Sequence, residues 1–172
     1  PLHGIEHIVD AAELLATDPE IRFTLIGRGQ LYPEIRRIVA DRRLPNIDFI
    51  EWVNYENLPN HIASADVCLG IFSSSEKAAR VIPNKVFQAM AMGKAVITGR
   101  TPGSEEGLVD RENVLLCNVA DAEDLASTIR MLQHDVALKK KIELNARQTF
   151  NSIFGNEAVK SSLQAIISKV AS

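Results

Sequence analysis

Five short apolar runs alternate with amphipathic stretches along this chain, and few architectures accept that order. Ile21 to Ile26, Ile47 to Trp52, Val67 to Phe72, Lys94 to Thr98 and Asn113 to Cys117 read as strands. Helical spacing fills the intervals. Ile5, Ile8, Val9, Ala12 and Ala16 open the chain, and Gln30 to Arg43, Leu58 to Ala63 and Asn84 to Met92 follow. Leu44-Pro45-Asn46 stops the second helix, while Asp121 with Asp124 caps another that runs through Leu132. Two more helices close the chain, the last with Val159, Leu163, Ile166, Ile167 and Val170 on one face. This order predicts an α/β fold: a Rossmann-like parallel sheet flanked by helices on both faces. A helix ahead of the first strand is awkward in that fold, and it predicts a true first strand just upstream. Pro1-Leu2-His3-Gly4, with no initiator Met, points the same way. Residues 1–172 are therefore expected to form a single domain belonging to something longer.

Composition narrows the partners. The chain has 46% hydrophobic and 24% charged residues, an ordinary globular profile long enough to bury a core. Nineteen basic against 22 acidic residues leave no overall positive field, which argues against nucleic acid as a partner. No apolar run approaches the ~18 residues of a membrane span, and the start does not read as a signal peptide. Cys68 and Cys117 lie inside apolar runs and are expected to be buried, reduced thiols, so the cytoplasm is the default compartment.

Ligands of open α/β sheets bind beyond the carboxyl ends of the strands, and three loops stand out there. Gly27-Arg28-Gly29-Gln30 offers close backbone approach and opens a helix whose N-terminus favours anions. Trp52-Val53-Asn54-Tyr55 carries two rings able to flank a flat base. Ser73 to Lys85 supplies Ser74, Glu76, Lys77 and Arg80, then Pro83-Asn84-Lys85 at a helix start. A lysine beside free helix N–H groups is a plausible diphosphate seat. Each feature also has a plain alternative. Gly-Arg-Gly is often only a tight turn, Trp52 and Tyr55 suit partly buried packing, and at least one serine of Ser73-Ser74-Ser75 reads as loop filler. Lys77 and Arg80 read as solvated, and Lys85 divides evenly between a surface lysine and a ligand.

Other constellations fall short. His3 and His7 share helical spacing with Glu6 between them but have no third ligand nearby, so no metal is expected. His61 and His134 read as surface positions, and Glu105-Glu106 as a solvated pair. No nucleophile elbow, P-loop or Cys-x-x-Cys is present.

Taken in order, these segments resemble the C-terminal, donor-binding domain of family-4 (group-1) glycosyltransferases of the GT-B fold. HGIEHIVDAAELL is similar to that family's first helix, FTLIGRGQLYPEI to its strand, glycine loop and helix, and IDFIEWVNYENLPNHIASADVCL to the segment entering the middle strand. IPNKVFQAMAMGKAVITGRTPGSEEGLVDRENVLL resembles the stretch carrying the donor-binding acidic motif, and DAEDLASTIRMLQHD with KIELNARQTF fits its tail.

The resemblance implies a UDP- or GDP-sugar donor, with the base against Trp52-Val53. It places the diphosphate near Gly27 to Gln30, Lys85 and Arg28, and the ribose at Gln88, where the family usually has Glu. Arg80 stands where the motif's first Glu is usual, with Glu76 in the same loop as the candidate catalytic carboxylate. Pro83-Asn84-Lys85 resembles a variant of polysaccharide-assembly members. His3-Gly4 stands for the family's Lys-Gly. A missing N-terminal domain would bring a glycan or lipid-linked acceptor, so this domain is expected to bind nucleotide without catalysing alone. The resemblance further implies retention of anomeric configuration, no cofactor, and a cytoplasmic enzyme working at the inner face of a membrane. Two other readings remain. In an NAD-type dinucleotide-binding oxidoreductase, Glu51 would meet the ribose, although Tyr32 fills the third glycine position. The other is a non-catalytic Rossmann-like interaction domain.

Overall fold

The computed structural model describes residues 3–170. Its first helix, α1 (Ile5–Leu14), starts from Gly4 in the left-handed region (φ 62°) and buries Ile8, Val9, Ala11 and Ala12. Strand β1 (Phe23–Ile26) leads through the glycine loop to α2 (Tyr32–Asp41), which has Pro33 in its first turn, where no N–H is needed. Then come β2 (Ile47–Ile50), α3 (Leu58–Ser64), β3 (Val67–Leu69), α4 (Asn84–Ala91) and β4 (Ala95–Gly99). A four-residue helix α5 (Pro102–Glu105), β5 (Leu115–Cys117), α6 (Ala122–His134), α7 (Val136–Thr149) and α8 (Asn156–Val170) complete the order. A π-helical turn, Phe150–Phe154, joins the last two.

All strand pairs are parallel, as the βαβ order requires. The hydrogen bonding divides them, however, into a pair, β1-β2, and a triplet, β3-β4-β5, rather than one continuous sheet. Strand β4 lies at the centre of the triplet with every residue buried. Pleating sends Ala95 and Ile97 into one apolar cluster with Val9 of α1 and Leu125 of α6. Val96 faces the second cluster with Val86 and Met90 of α4 and Ala146 of α7. Helices therefore cover both faces.

Several boundaries differ from the sequence reading. The run Val67 to Phe72 pairs as strand only to Leu69, because Ile71 donates its N–H to the Thr98 hydroxyl instead of a backbone carbonyl (3.3 Å). Gly70 accepts that intrusion, since a Cβ there would collide with the Thr98 side chain. The first strand begins at Phe23 rather than Ile21, the second ends at Ile50, and the last begins at Leu115. The loop Gly99 to Gly107 contains α5, held by a reciprocal cap: Ser104 N–H donates to Thr101 Oγ1 (3.1 Å) and Thr101 N–H to Ser104 Oγ (2.8 Å). The final helix carries its apolar residues on one face, as the spacing predicts, and that face is exposed. Cys117 is buried and Cys68 half-buried, both as free thiols. Burial pushes the Cys117 thiol up to about 12, with Asp124 and Asp121 adding to the shift.

Candidate functional site

The carboxyl ends of β1 and β3 open onto a cavity of about 1270 Å³ that runs down between the two strands. At its mouth stand Gly27, Arg28, Gly29 and Gln30 from the loop after β1, with Lys85 from α4 and His3 ahead of α1. Gly27 has φ 115°, and nothing lies within 4 Å of where a Cβ would stand on Gly27 or Gly29. Their backbone is therefore open to a ligand, and Gly27 needs its positive φ to turn the chain.

Lys85 sits in the first turn of α4, directly after Pro83 and Asn84. Its side chain reaches back into the cavity mouth, where burial pushes the ammonium down to about 8. Among the described residues no carboxylate pairs with it and no side chain hydrogen-bonds to it. A half-buried cation without an anion, beside free helix N–H groups, is electrostatically incomplete. His3 lies close enough to feel that charge. Burial first, and then Lys85, hold its imidazole below the usual range. The sequence reading weighed His3 only as a metal ligand or as a stand-in for the family's lysine. Its place beside Lys85 depends on contacts far apart in sequence, among them the Phe72 N–H donating to the His3 carbonyl (3.1 Å).

The remaining expected site residues lie outside the cavity lining. Trp52 and Tyr55 are 72% and 78% exposed, not partly buried packing, and Val53 between them is half-buried. Gln88 is half-buried one turn after Lys85, and its side-chain amide has no hydrogen bond among the described residues. Glu76 is exposed and pairs with Arg80 (3.2 Å). Ser73 and Ser75 build their own loop: the Ser73 hydroxyl donates to Ser75 Oγ (3.1 Å), and Ser75 Oγ accepts from Ala78 N–H (3.3 Å). That leaves Ser74 exposed, with Asn84 exposed nearby at the helix start.

Arg28 is already engaged. Its guanidinium stands 3.7 Å from Glu51 and 5.7 Å from the centre of the Tyr32 ring. Tyr32 Oη donates to Glu51 Oε1 (2.8 Å), and Arg36 donates to Tyr32 Oη (3.1 Å) while lying over the Phe49 ring at 5.3 Å. Glu51, the acid a dinucleotide reading would use for a ribose, is thus tied up by a tyrosine and two arginines. His61, expected at the surface, is half-buried in the cavity wall. Among the described residues no group of three or more His, Cys, Asp or Glu is placed to hold a metal ion.

The profile of a family described as Glycosyl transferases group 1 matches residues 1–135. The chain is 25% identical over 159 residues to LpsE, a lipopolysaccharide core biosynthesis glycosyltransferase of Rhizobium meliloti, covering 91% of this chain and 45% of LpsE. Among solved structures, HepE of Anabaena in complex with UDP-glucose superposes with a TM-score of 0.83 at 19% identity, over 98% of this chain and 46% of HepE. The C-terminal domain of LpcC, a glycosyl transferase group 1 family protein of Francisella tularensis, gives 0.74 at 21% identity, over 90% of this chain and 81% of that domain. The chain thus spans less than half the length of LpsE and of HepE. The structural likeness identifies the fold as one Rossmann-like half of a GT-B glycosyltransferase. With most of its length matched by the profile, the chain belongs to the glycosyl transferases group 1 family.

Proposed function

We propose that this chain is the donor-binding half of a retaining glycosyltransferase that moves a sugar from a UDP- or GDP-sugar to a glycan or lipid-linked acceptor. The observation that carries this reading is Lys85: a half-buried ammonium with no partner among the described residues, facing the open backbone of Gly27 and Gly29 across one cavity mouth. A diphosphate supplies the missing charge, and the first turn of α4 adds N–H donors. Trp52, Val53 and Tyr55 take the base, and Gln88 accepts from a ribose hydroxyl, more weakly than a carboxylate would. Ser74, Glu76 and Asn84 border the sugar. Lys85 and the helix terminus stabilise the charge that develops on the leaving diphosphate, a role otherwise open to a metal.

Transfer also needs the acceptor held in attack geometry. We assign that task to a preceding N-terminal domain, in a full-length enzyme that works from the cytoplasmic side of a membrane. No helix among the described residues is long and apolar enough to cross one.

Calorimetric titration with UDP, GDP and NADH tests the reading. UDP or GDP is expected to bind and NADH not to. Lys85→Ala is expected to weaken the nucleotide by about tenfold or more, the scale of a charge-assisted contact of ~1.5–3 kcal/mol. Equal affinity in the variant would remove Lys85 from the site.

A further inference from the structure

Lys85 differs from its fellow lysines in what surrounds the amine. Lys139 donates to Asp66 (2.8 Å), Lys141 donates to Glu112 (2.6 Å), and Lys160 stands 3.9 Å from Glu157, so each of these has a carboxylate to hold its proton. Lys77 and Lys140 lie exposed to water. Lys85 is half-buried at a cavity mouth, and no carboxylate among the described residues pairs with it. Burial pushes its ammonium down to about 8, so an appreciable share is free amine near neutral pH. An ordinary exposed lysine, titrating near 10.4, is well under about 1% amine there. Desolvation of this kind turns a lysine into a nucleophile. What lies across the mouth selects the electrophile. Gly27 and Gly29 present backbone with nothing within 4 Å of where a Cβ would stand, and Pro83 gives α4 no side-chain cap. The N–H groups of Asn84 and Lys85 are thus left for an anion. A phosphate group seated there holds whatever it carries beside the Lys85 amine.

We propose that Lys85 is an acylation site whose reagent is an acyl phosphate, seated by its own phosphate group between the glycine loop and the start of α4. The site rests on the diphosphate seat proposed above and adds a reaction to it. The Nζ lone pair attacks the carbonyl carbon and forms an N–C bond. The bond from that carbon to the phosphate oxygen breaks, inorganic phosphate leaves, and the nitrogen's proton passes to water. Nothing is oxidised or reduced. Charge grows on the departing phosphate where the N–H donors already lie. The product is a neutral amide, so the modified chain loses the cation that draws a diphosphate. Acylation therefore switches the donor site off.

The test treats the intact chain with acetyl phosphate at about pH 8 and follows each lysine by peptide mass spectrometry. Lys85 is expected to be acetylated at least about tenfold faster than Lys140. Excess inorganic phosphate or UDP is expected to slow Lys85 and leave Lys140 unchanged. The N-hydroxysuccinimide ester of acetate acylates amines but carries no phosphate, and its preference for Lys85 is expected to be at least about fivefold smaller. Equal rates at Lys85 and Lys140, or the same preference from both reagents, would overturn the proposal. Calorimetry on the unmodified chain separates it from the nucleotide reading. Binding of UDP without preferential acetylation of Lys85 keeps the donor site and removes the acylation. Protection of Lys85 by phosphate without binding of UDP or GDP keeps the acylation and removes the nucleotide. Once Lys85 is acetylated, UDP affinity is expected to fall about tenfold, as for Lys85→Ala.

Discussion

Lys85 is the residue at which charge, burial and position meet, and its protonation sets two measurable slopes. With the ammonium pushed down to about 8 in the folded chain against 10.5 when unfolded, the folded form sheds its proton first. Below pH 8 both forms are charged and burial of the charge costs stability, on the order of 3 kcal/mol. Between pH 8 and 10.5 that cost is relieved, so the thermal midpoint is expected to rise with pH relative to Lys85→Met over that window. Nucleotide affinity runs the other way: it should fall about twofold between pH 7 and 8 and about tenfold by pH 9.5 as the cation is lost. A flat affinity profile in calorimetry at those pH values would show that the ammonium takes no part in binding. The run Pro83-Asn84-Lys85 made this lysine legible in the sequence, because a helix start is a local signal. Its lack of a counter-charge was not legible, since that depends on which carboxylates the fold brings near. Arg28 shows the converse: the resemblance set it beside Lys85 at the diphosphate, and Glu51 and Tyr32 engage it.

At the scale of elements, the alternation of apolar runs and amphipathic stretches correctly foretold parallel strands and helices on both faces. What it could not show was where pairing stops. Val67 to Phe72 is apolar throughout, and a hydroxyl from the neighbouring strand, Thr98, ends its regular pairing early. The helix α5 was equally hidden, because Pro, Gly and Ser read as loop residues until Thr101 and Ser104 are seen to cap each other. The joint between α1 and the end of β3 rests on Gly4, with its left-handed backbone and its close contact to Ser73. Gly4→Ala is expected to destabilise the chain by about 2 kcal/mol, read as a lower urea midpoint at unchanged slope. A midpoint within error of the parent would mean that the junction relaxes freely.

At the scale of the whole molecule, the family was legible because its segments follow one another in the right order, although each alone is loose. The division of the sheet was not, since it arises from which strand edges meet and not from any one residue's preference. The chain spans under half of LpsE. We therefore expect these 172 residues to bind UDP or GDP yet transfer no sugar, and transfer to appear when the full-length protein is supplied with donor and acceptor. A radiolabelled-sugar assay on both forms checks this, and turnover by the short form alone would contradict it.

The last helix gives the isolated chain a physical character of its own. Val159, Leu163, Ile166, Ile167 and Val170 are 45–83% exposed along one stripe of α8, whose opposite side is hydroxylated and only lightly charged. Such a surface wets poorly. It is expected to adsorb to phenyl resins and air–water boundaries, and ammonium sulfate to strengthen that adhesion by being excluded from the oily stripe. Handling of this chain in solution is expected to be governed by those fifteen residues of α8 more than by its net charge of −3.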